Sequence, residues 1–438
     1  MKKSLFSWAL CWAIGCLALF GGSFALADEE YKFDLSEIEK KPYHIGGYLE
    51  LKPSISRLGS DASLYKLRFF NRAEGNTLEE YNGKLQLEGS LEKGIARLFV
   101  RTNSDLKYSY LGWDNEIKIY EGYLSLKPSS SLTFKLGKQT LLWGKGYAYN
   151  PIAFVSRPKD PDDPEMVLEG FITASADYIK SFDGPLKTFS VTPVIFPVYK
   201  HINDDFGKIN RLNFAGKLYL LLYNTDIDLI GLTGGSKTNR LGIDFSRNIT
   251  TNFEVHGEFA FINNQKTKAI DSLGKISESK FDAKSYLLGV RYLTASDTTF
   301  IFEYYRNGTG FSHLEMKDYF SFIDKGYALF LSKRNDSLLK KAANVTEGNY
   351  GRSNPMKDYL YLRISQKEPF DILYFTPAIT TIMNLNDQSL SLSPELLYTG
   401  FTNWEFRLKG TALVGQRETE FGEKQNDYRI DLRVRYYF

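Results

Sequence analysis

The sequence predicts an all-β fold: a transmembrane antiparallel β-barrel of about 18 strands, with 16 and 20 strands as alternative counts. Most readable segments alternate apolar and polar residues over about 9–13 residues, the length that a tilted strand needs to cross a bilayer. Short and long connections alternate between these segments, which is typical of a barrel with short periplasmic turns and long extracellular loops. Aromatic residues make up 15% of the 438 residues, more than a solvated disordered chain carries.

Composition and charge exclude other classes of protein. The chain has 55 Lys+Arg against 52 Asp+Glu and contains no basic block, so a nucleic-acid partner is not expected. No apolar run of about 18 residues follows the N-terminal segment, which argues against a membrane protein built of helices.

The N-terminus has the pattern of a secretory signal peptide. Lys2 and Lys3 precede an apolar run over residues 5–20, and Ala25 and Ala27 supply the small-x-small cleavage pattern. We therefore predict a signal peptide over residues 1–27, a periplasmic segment over 28–42 and the barrel over 43–438. The only two cysteines, at positions 11 and 16, fall in the removed segment; lipoprotein cleavage at Cys16 is the alternative.

The last strand shows the alternation in its clearest form. Ile430 and Leu432 fall on one face, and Arg429 and Arg433 fall on the other. In a soluble sandwich the apolar face would be a packed interior, so the period alone does not decide between sandwich and barrel. The alternating connections favour the barrel.

The predicted tight turns and long connections can be assigned along the chain. Tight turns are expected near residues 92–94, 128–130, 183–185, 224–225, 248–251, 294–297, 368–369 and 399–401. Longer connections are expected at residues 103–115, 142–168, 199–210, 263–280, 308–355 and 415–426, whereas 235–238 and 384–388 are short for that side. The beginning of the barrel is ambiguous, because residues 45–55 and 64–72 both resemble strands and only one of them fits an even count. Either they form one bulged strand or the first is a periplasmic lead-in.

Two motifs resemble those of bacterial outer-membrane porins. Tyr436 and Phe438, at the end of an alternating strand, resemble the C-terminal signature that the barrel-assembly machinery reads. Gly137-Lys138-Gln139 followed by Trp143-Gly144-Lys145-Gly146 is similar to a motif of alginate-export-like porins and of an uncharacterised family of proteobacterial outer-membrane proteins. Lys138 stands where that family often has Arg, which keeps the charge but not bidentate binding. The resemblance implies residence in the outer membrane, contact with its lipid and assembly by that machinery, with a homotrimer as one expected state.

A segment after the predicted fifth strand is the candidate pore constriction. Porins fold a loop inward at this position, so we expect residues 142–168 to narrow the lumen. The candidate constriction residues are Trp143, Lys145, Tyr147, Arg157, Lys159, Asp160, Asp162, Asp163 and Glu165. A solvated external loop is the alternative, and a Ca²⁺ site on its carboxylates is a weaker one because the segment lacks a glycine-pinned Ca²⁺ loop.

Alternation also selects residues that face water. The predicted pore-lining residues are Lys135, Arg211, Arg291, Arg363, Arg407, Arg433, Arg435, Asp244, Glu254 and Glu258. The two signs fall in different sectors of the wall, and such a separation sets up a field across a pore. Mutual neutralisation of interior charges is the alternative role.

The longest connection, residues 308–355, changes period. Met316, Tyr319, Phe320 and Ile323 follow helical spacing, so we predict a helix there; an extra hairpin, which would raise the count to 20 strands, is the alternative.

The expected function is a water-filled channel for passive diffusion of small hydrophilic solutes or ions. The four histidines, at positions 44, 201, 256 and 313, form no recognisable catalytic or metal-binding pattern, and no cofactor motif is present, so we expect neither an enzyme nor a bound metal. Two other functions are considered: a barrel sheath around a multihaem cytochrome for electron transfer across the outer membrane, and a polysaccharide export channel.

Overall fold

The computed structural model describes residues 41–72 and 75–438. The predicted signal peptide and nearly all of the predicted periplasmic segment lie outside the described residues. The described chain forms 18 strands, numbered here in chain order: β1 Tyr43–Leu58, β2 Thr77–Lys93, β3 Ala96–Ser109, β4 Gly112–Ser129, β5 Leu132–Gln139, β6 Phe171–Ser181, β7 Leu186–Val198, β8 Arg211–Leu222, β9 Thr225–Thr233, β10 Arg240–Thr250, β11 Phe253–Ile270, β12 Ile276–Leu293, β13 Thr298–Arg306, β14 Asp358–Gln366, β15 Phe375–Asn384, β16 Leu390–Tyr398, β17 Trp404–Val414 and β18 Asn426–Tyr437.

The strands form one closed antiparallel sheet. Each strand pairs with its neighbours in sequence, and β1 pairs with both β2 and β18. Leu49, for example, lies opposite Leu85 on one side and Tyr436 on the other. Closure leaves no free edge strand. The predicted fold class is therefore confirmed, and the alternative counts of 16 and 20 strands are wrong.

The two faces of the strands differ as the alternation predicts. Ile430 and Leu432 of β18 expose 47% and 42% of their surface on the outer face, whereas Arg433 and Arg435 of the same strand pair with carboxylates inside the barrel. An apolar outer surface of this kind suits hydrocarbon, because the backbone polar groups are satisfied between strands.

The connections divide into two rims. The short-turn rim holds residues 94–95, 130–131, 182–185, 223–224, 251–252, 294–297, 367–374 and 399–403. The long-loop rim holds residues 59–76, 110–111, 140–170, 199–210, 234–239, 271–275, 307–357, 385–389 and 415–425. Two expected long loops are wrong: residues 103–115 and 263–280 are mostly strand, paired as far as Ser109 with Gly112 and Ile270 with Ile276. Backbone pairing does not require apolar side chains, so these polar hairpins continue as strands.

The ambiguous start of the barrel is resolved in a way that we did not predict. Residues 45–55 belong to β1, and residues 64–69 belong to a short helix, α1 (Ser63–Phe69), within the first long connection; residues 70–72 form a turn after it. Phe69 of α1 is buried against Leu58 and Leu78 at the ends of β1 and β2. Leu64–Arg72 is therefore neither part of a bulged strand nor β1 itself.

The longest connection contains the predicted helix. It forms α2 (His313–Lys333) and α3 (Ser337–Val345), so the extra hairpin is wrong. Ser312 begins α2 with a capping box, in which its side chain accepts from the backbone N–H of Glu315 while the Glu315 carboxylate accepts from the backbone N–H of Ser312. Tyr319 of α2 stacks on Tyr350 with ring centroids 4.1 Å apart. Among the described residues, none of the helices is long and apolar enough to span a bilayer.

Apolar side chains fill one side of the barrel interior. Residues of the 140–170 connection, including Trp143, Ile152 and Phe154, are buried against inward-facing side chains of β6 to β9 and β11. A second cluster contains Tyr149 of the same connection, Tyr359 of β14 and the buried face of α2, which includes Met316, Tyr319, Phe320 and Ile323. We call the 140–170 connection the inner loop.

Candidate functional site

The inner loop crosses the barrel interior between the end of β5 and the start of β6. Its first half packs on the wall and its acidic second half approaches β16 to β18. Lys409 Nζ lies 2.8 Å from Asp162 Oδ1 and donates to the Asp162 carbonyl at 2.6 Å. Asp163 lies 3.3 Å from Arg433 and 3.6 Å from Arg407. The acidic stretch therefore docks on a basic part of the wall.

A cavity of about 380 Å³ lies beside this docked segment. Six basic and four acidic side chains line it: Lys52, Arg407, Lys409, Lys424, Arg429 and Arg433, with Asp160, Asp162, Asp163 and Asp431. The cavity is bounded by the inner loop, by wall residues of β15 to β18 and β1, and by parts of the connections 307–357 and 415–425. It is a polar space next to a half-filled lumen.

The arginines of this wall are paired with carboxylates. Arg363 and Arg407 lie 3.1 and 3.5 Å from Glu395. Arg433 lies 3.1 Å from Glu405, and Arg435 lies 2.6 Å from Glu50. Most of the predicted basic lining residues are therefore at least partly neutralised, which agrees with mutual neutralisation of interior charges. Basic and acidic side chains are less separated around the wall than the sequence suggested.

The other predicted constriction residues lie on the inner loop but contact different partners. Lys145 pairs with Asp228 at 3.1 Å, and Lys159 donates to the carbonyls of Gly146 and Tyr147 at 2.6 and 3.1 Å. The Tyr147 hydroxyl donates to Glu165 at 3.0 Å. Trp143 is buried in the packed cluster and does not line the cavity. These residues hold the loop, and Asp160, Asp162 and Asp163 are the ones that border the cavity.

Arg157 joins the inner loop to its surroundings at the long-loop rim. Its guanidinium lies 2.6 Å from Asp205 and 3.3 Å from Glu169. Glu169 is shared with Lys138 at 2.5 Å, so the Lys of the porin-like motif holds the far end of the same loop.

Several predicted pore-lining residues require correction. Asp244 and Glu258 face inward but expose only 1% and 4% of their surface, because the inner loop covers them. Glu254 is half-buried and accepts from Ser246. Alternation identifies the inward face, but it does not show what covers that face.

Of the ten predicted lining residues, Arg407 and Arg433 border this cavity and the other eight do not. Lys135 sits 5.2 Å from the centre of the Tyr123 ring, while Arg211 and Arg291 are exposed. The sequence analysis did not identify Lys52 and Lys424, which line the cavity, or Glu303, which contacts the inner loop. Glu303 is fully buried, and its signal was a single carboxylate on the otherwise apolar and aromatic inward face of β13.

Burial shifts the protonation equilibria of the inner loop. It raises the pKa of Asp160 above that of an ordinary aspartate and lowers the pKa of Lys159 below that of an ordinary lysine. Asp162 and Asp163 are the loop carboxylates that pair with basic side chains of the wall. Within residues 41–72 and 75–438, no group of three or more His, Cys, Asp or Glu side chains is arranged to hold a metal ion.

The backbone geometry at position 137 explains why the porin-like motif has a glycine there. Its φ is +130°, and a Cβ there would lie 2.3 Å from the carbonyl oxygen of Gly122 on β4. We expect Gly137→Ala to destabilise the barrel by about 3 kcal/mol, from backbone strain and overpacking, measured by urea unfolding in detergent or lipid. Gly122→Ala is the matched control, because its nearest contact would be an ordinary 3.4 Å. Equal stability of the two variants would contradict this explanation.

Glu420 makes the last long connection sensitive to pH. It is buried, accepts from the Tyr359 hydroxyl at 2.7 Å and from Asn384 at 2.6 Å, and burial raises its pKa to about 7. A raised carboxyl pKa means that the docked loop favours the protonated form, so docking is strongest below the ordinary carboxyl pKa of about 4.5 and weakens as the pH rises from there to about 7. The loss amounts to roughly 3 kcal/mol.

We therefore expect residues 415–425 of the wild type to be cleaved by an added protease roughly tenfold faster than those of Glu420→Gln at about pH 8.5, with little difference at about pH 4. Comparing the two proteins at the same pH cancels the protease's own pH dependence. Glu418→Gln is the control, since Glu418 is partly exposed and pairs with Lys317. A wild-type to Glu420→Gln ratio that stays constant with pH would show that Glu420 does not control docking.

Comparisons with known proteins support the fold. No protein-family model matches the sequence, and no curated protein matches it significantly. OprD from Pseudomonas aeruginosa, in an improved crystal structure, matches with a TM-score of 0.50 and 11% identity over 90% of this chain and 95% of that one. Another structure of that outer membrane protein gives 0.51 and 10% over 90% and 94%. A doubly substituted form, OccD1 (OprD), gives 0.51 and 10% over 91% and 96%. The likeness to outer-membrane porins is confirmed at the level of the fold, which is that of a bacterial outer-membrane barrel.

Proposed function

We propose that this outer-membrane barrel is a water-filled channel for passive diffusion of small hydrophilic solutes or ions, with its constriction at the polar cavity beside the contact of the acidic stretch of the inner loop with the wall of β16 to β18. The observation that carries the proposal is the pairing of Asp162 with Lys409 beside a polar cavity of about 380 Å³. Charges of both signs that line a narrow polar passage in a low-dielectric wall orient dipolar solutes and disfavour apolar ones.

The orientation of the channel follows from the same proposal. The short-turn rim, where Gly47 exchanges backbone hydrogen bonds with Phe438 at 3.1 Å, faces the periplasm. The long-loop rim, with α1, α2 and α3, faces outward. This is the arrangement of outer-membrane barrels generally, and it leaves assembly by the barrel-assembly machinery and a homotrimer as expectations for this chain.

Packing inside the barrel opposes the cytochrome-sheath alternative. The inner loop buries Trp143, Ile152 and Phe154 against the wall, and α2 and Tyr149 share a second packed cluster. A folded haem protein in the lumen would have to displace both clusters. In the part of the chain that the structure describes, no contact favours the polysaccharide-export alternative, which is supported by the resemblance of the Trp-Gly motif alone.

The test is single-channel recording of the purified barrel in planar bilayers, with liposome swelling in sugars of increasing size. Discrete conductance steps, and swelling that falls as the sugar becomes larger, are the expected results. Heat-unfolded protein at the same concentration is the control. Folded barrels that give no steps and admit no sugar would overturn the proposal.

A further inference from the structure

The first half of the inner loop presents its backbone to the wall in an unusual way. Five consecutive N–H groups, those of residues 145–149, all point at two carboxylates. Lys145 and Gly146 donate to Glu258 Oε1 at 2.6 and 2.7 Å. Tyr147 donates to Glu303 Oε1, while Ala148 and Tyr149 donate to Glu303 Oε2 at 3.0 and 3.4 Å. Successive backbone N–H groups of this kind form a concave anion receptor.

Both carboxylates are inaccessible to water. Glu258 of β11 exposes 4% of its surface and Glu303 of β13 exposes none. Glu258 also accepts from Ile152 at 3.4 Å, and Glu303 lies 3.0 Å from His256 Nε2. Buried carboxylates are costly unless fully hydrogen-bonded, and here the donors come chiefly from the loop. If the loop left, these two charges would lose most of their partners.

The glycines of the Trp143-Gly144-Lys145-Gly146 motif suit this arrangement. A Cβ on Gly144 would lie 2.7 Å from Glu258 Oε1, and one on Gly146 would lie 1.9 Å from the carbonyl oxygen of Tyr149. A side chain at either position would keep the backbone from curling around the carboxylates. The motif therefore has a role that its resemblance to porin sequences did not supply.

We propose that Glu258 and Glu303 are positioning residues that bind the backbone of residues 145–149 and thereby hold the acidic stretch of the inner loop across the lumen. This inference rests on the proposed channel function. Neither carboxylate borders the cavity; each acts through the loop, whose docked position sets the width of the passage.

The test compares Glu258→Gln/Glu303→Gln with wild type in single-channel recordings. Glutamine keeps the shape but removes the charge that strengthens these hydrogen bonds, so the loop is released and conductance rises roughly twofold as the passage widens. Glu254→Gln is the matched control: Glu254 lies on β11 and contacts Ser246 and His256 but no residue of the inner loop. Wild-type conductance in the double variant, or the same rise in the control, would overturn the inference.

A second measurement separates this inference from the channel function. The only cysteines of the sequence, at positions 11 and 16, lie in the predicted signal peptide, so a single cysteine reports on one site in the processed barrel. Ala148→Cys replaces a fully buried side chain of the loop, and a water-soluble maleimide should label it at least roughly tenfold faster in the double variant than in the wild-type or Glu254→Gln background. Labelling does not depend on conductance. A wild-type barrel that does not conduct would therefore contradict only the proposed channel function. Equal labelling rates in the double variant and the wild type would contradict the proposal that Glu258 and Glu303 hold the loop.

A cross-link distinguishes positioning from general stabilisation. Ser393 Oγ and Asp162 Oδ1 lie 3.4 Å apart, so Asp162→Cys with Ser393→Cys can tie the loop to β16. Oxidation of this pair in the double variant should return the conductance to that of the same oxidised pair in the otherwise wild-type barrel. A conductance that stays high after the disulfide has formed would contradict a positioning role.

Discussion

Replacing Asp160, Asp162, Asp163 and Glu165 by their amides should shift the channel toward anions. The cavity is lined by six basic and four acidic side chains. Three of the four residues replaced, Asp160, Asp162 and Asp163, are among those acidic side chains. Their loss frees Lys409, Arg407 and Arg433 from their partners on the loop. We expect the permeability ratio of chloride to potassium to rise roughly threefold or more, measured from the reversal potential in a salt gradient.

The control for this experiment is Asp371→Asn, a carboxylate on the short-turn rim in an exposed turn. It should leave the reversal potential unchanged. The shift should shrink at high ionic strength, because salt screens exposed charges within a few ångströms. If the quadruple variant keeps both the wild-type reversal potential and the wild-type conductance, the acidic stretch does not form the constriction.

Deleting Phe438 should reduce the amount of assembled barrel in the outer membrane about tenfold or more. The residue lies beside the seam at which β18 meets β1, where its N–H and C=O both bond to Gly47 at 3.1 Å. Its side chain is 53% exposed on the barrel surface, so loss of core packing is a minor part of the effect. The measurement is the fraction of protein in outer-membrane extracts that migrates as a compact barrel before heating.

Phe438→Tyr keeps both the backbone bonds and an aromatic ring, and it should assemble normally. Phe370→Ser is a second control, because Phe370 is 93% exposed on a turn away from the seam. Normal surface levels of the truncated chain would contradict the terminal signature predicted from Tyr436 and Phe438.

The alternation of apolar and polar residues predicted much of this fold, because a strand with lipid on one side and the barrel interior on the other places apolar and polar side chains at alternate positions. Ile430 and Arg429 were assigned to opposite faces by position alone, and the closed sheet has the predicted 18 strands. The helix in residues 308–355 was also accessible, since Met316, Tyr319 and Ile323 are spaced for one buried stripe and are all buried. Helix α1 was missed because it spans only seven residues, too few for its period to outweigh aromatic residues that also favour strands.

The candidate site was less predictable, for a physical reason. Alternation showed that Glu258 points inward, but what covers it depends on how residues 140–170 pack, and that depends on contacts more than 100 positions away in sequence. Glu303 was overlooked because its role is visible only when the backbone of residues 147–149 is seen beside it. The acidic stretch and the arginines of β17 and β18 were each identified, whereas their pairing required the three-dimensional structure.

The half-filled lumen divides the barrel into two territories with different tolerances. Around Phe196 and Ile230, inward side chains are packed as in the core of a soluble protein. We expect a substitution there to lower the stability of the folded barrel. Around Lys409 and Arg429, inward side chains border the cavity, so under the proposed channel function we expect a substitution there to change permeability more than folding. If the proposed function holds, the packed part of the wall stabilises the barrel, and the part around the cavity is the surface at which substitutions can change permeability.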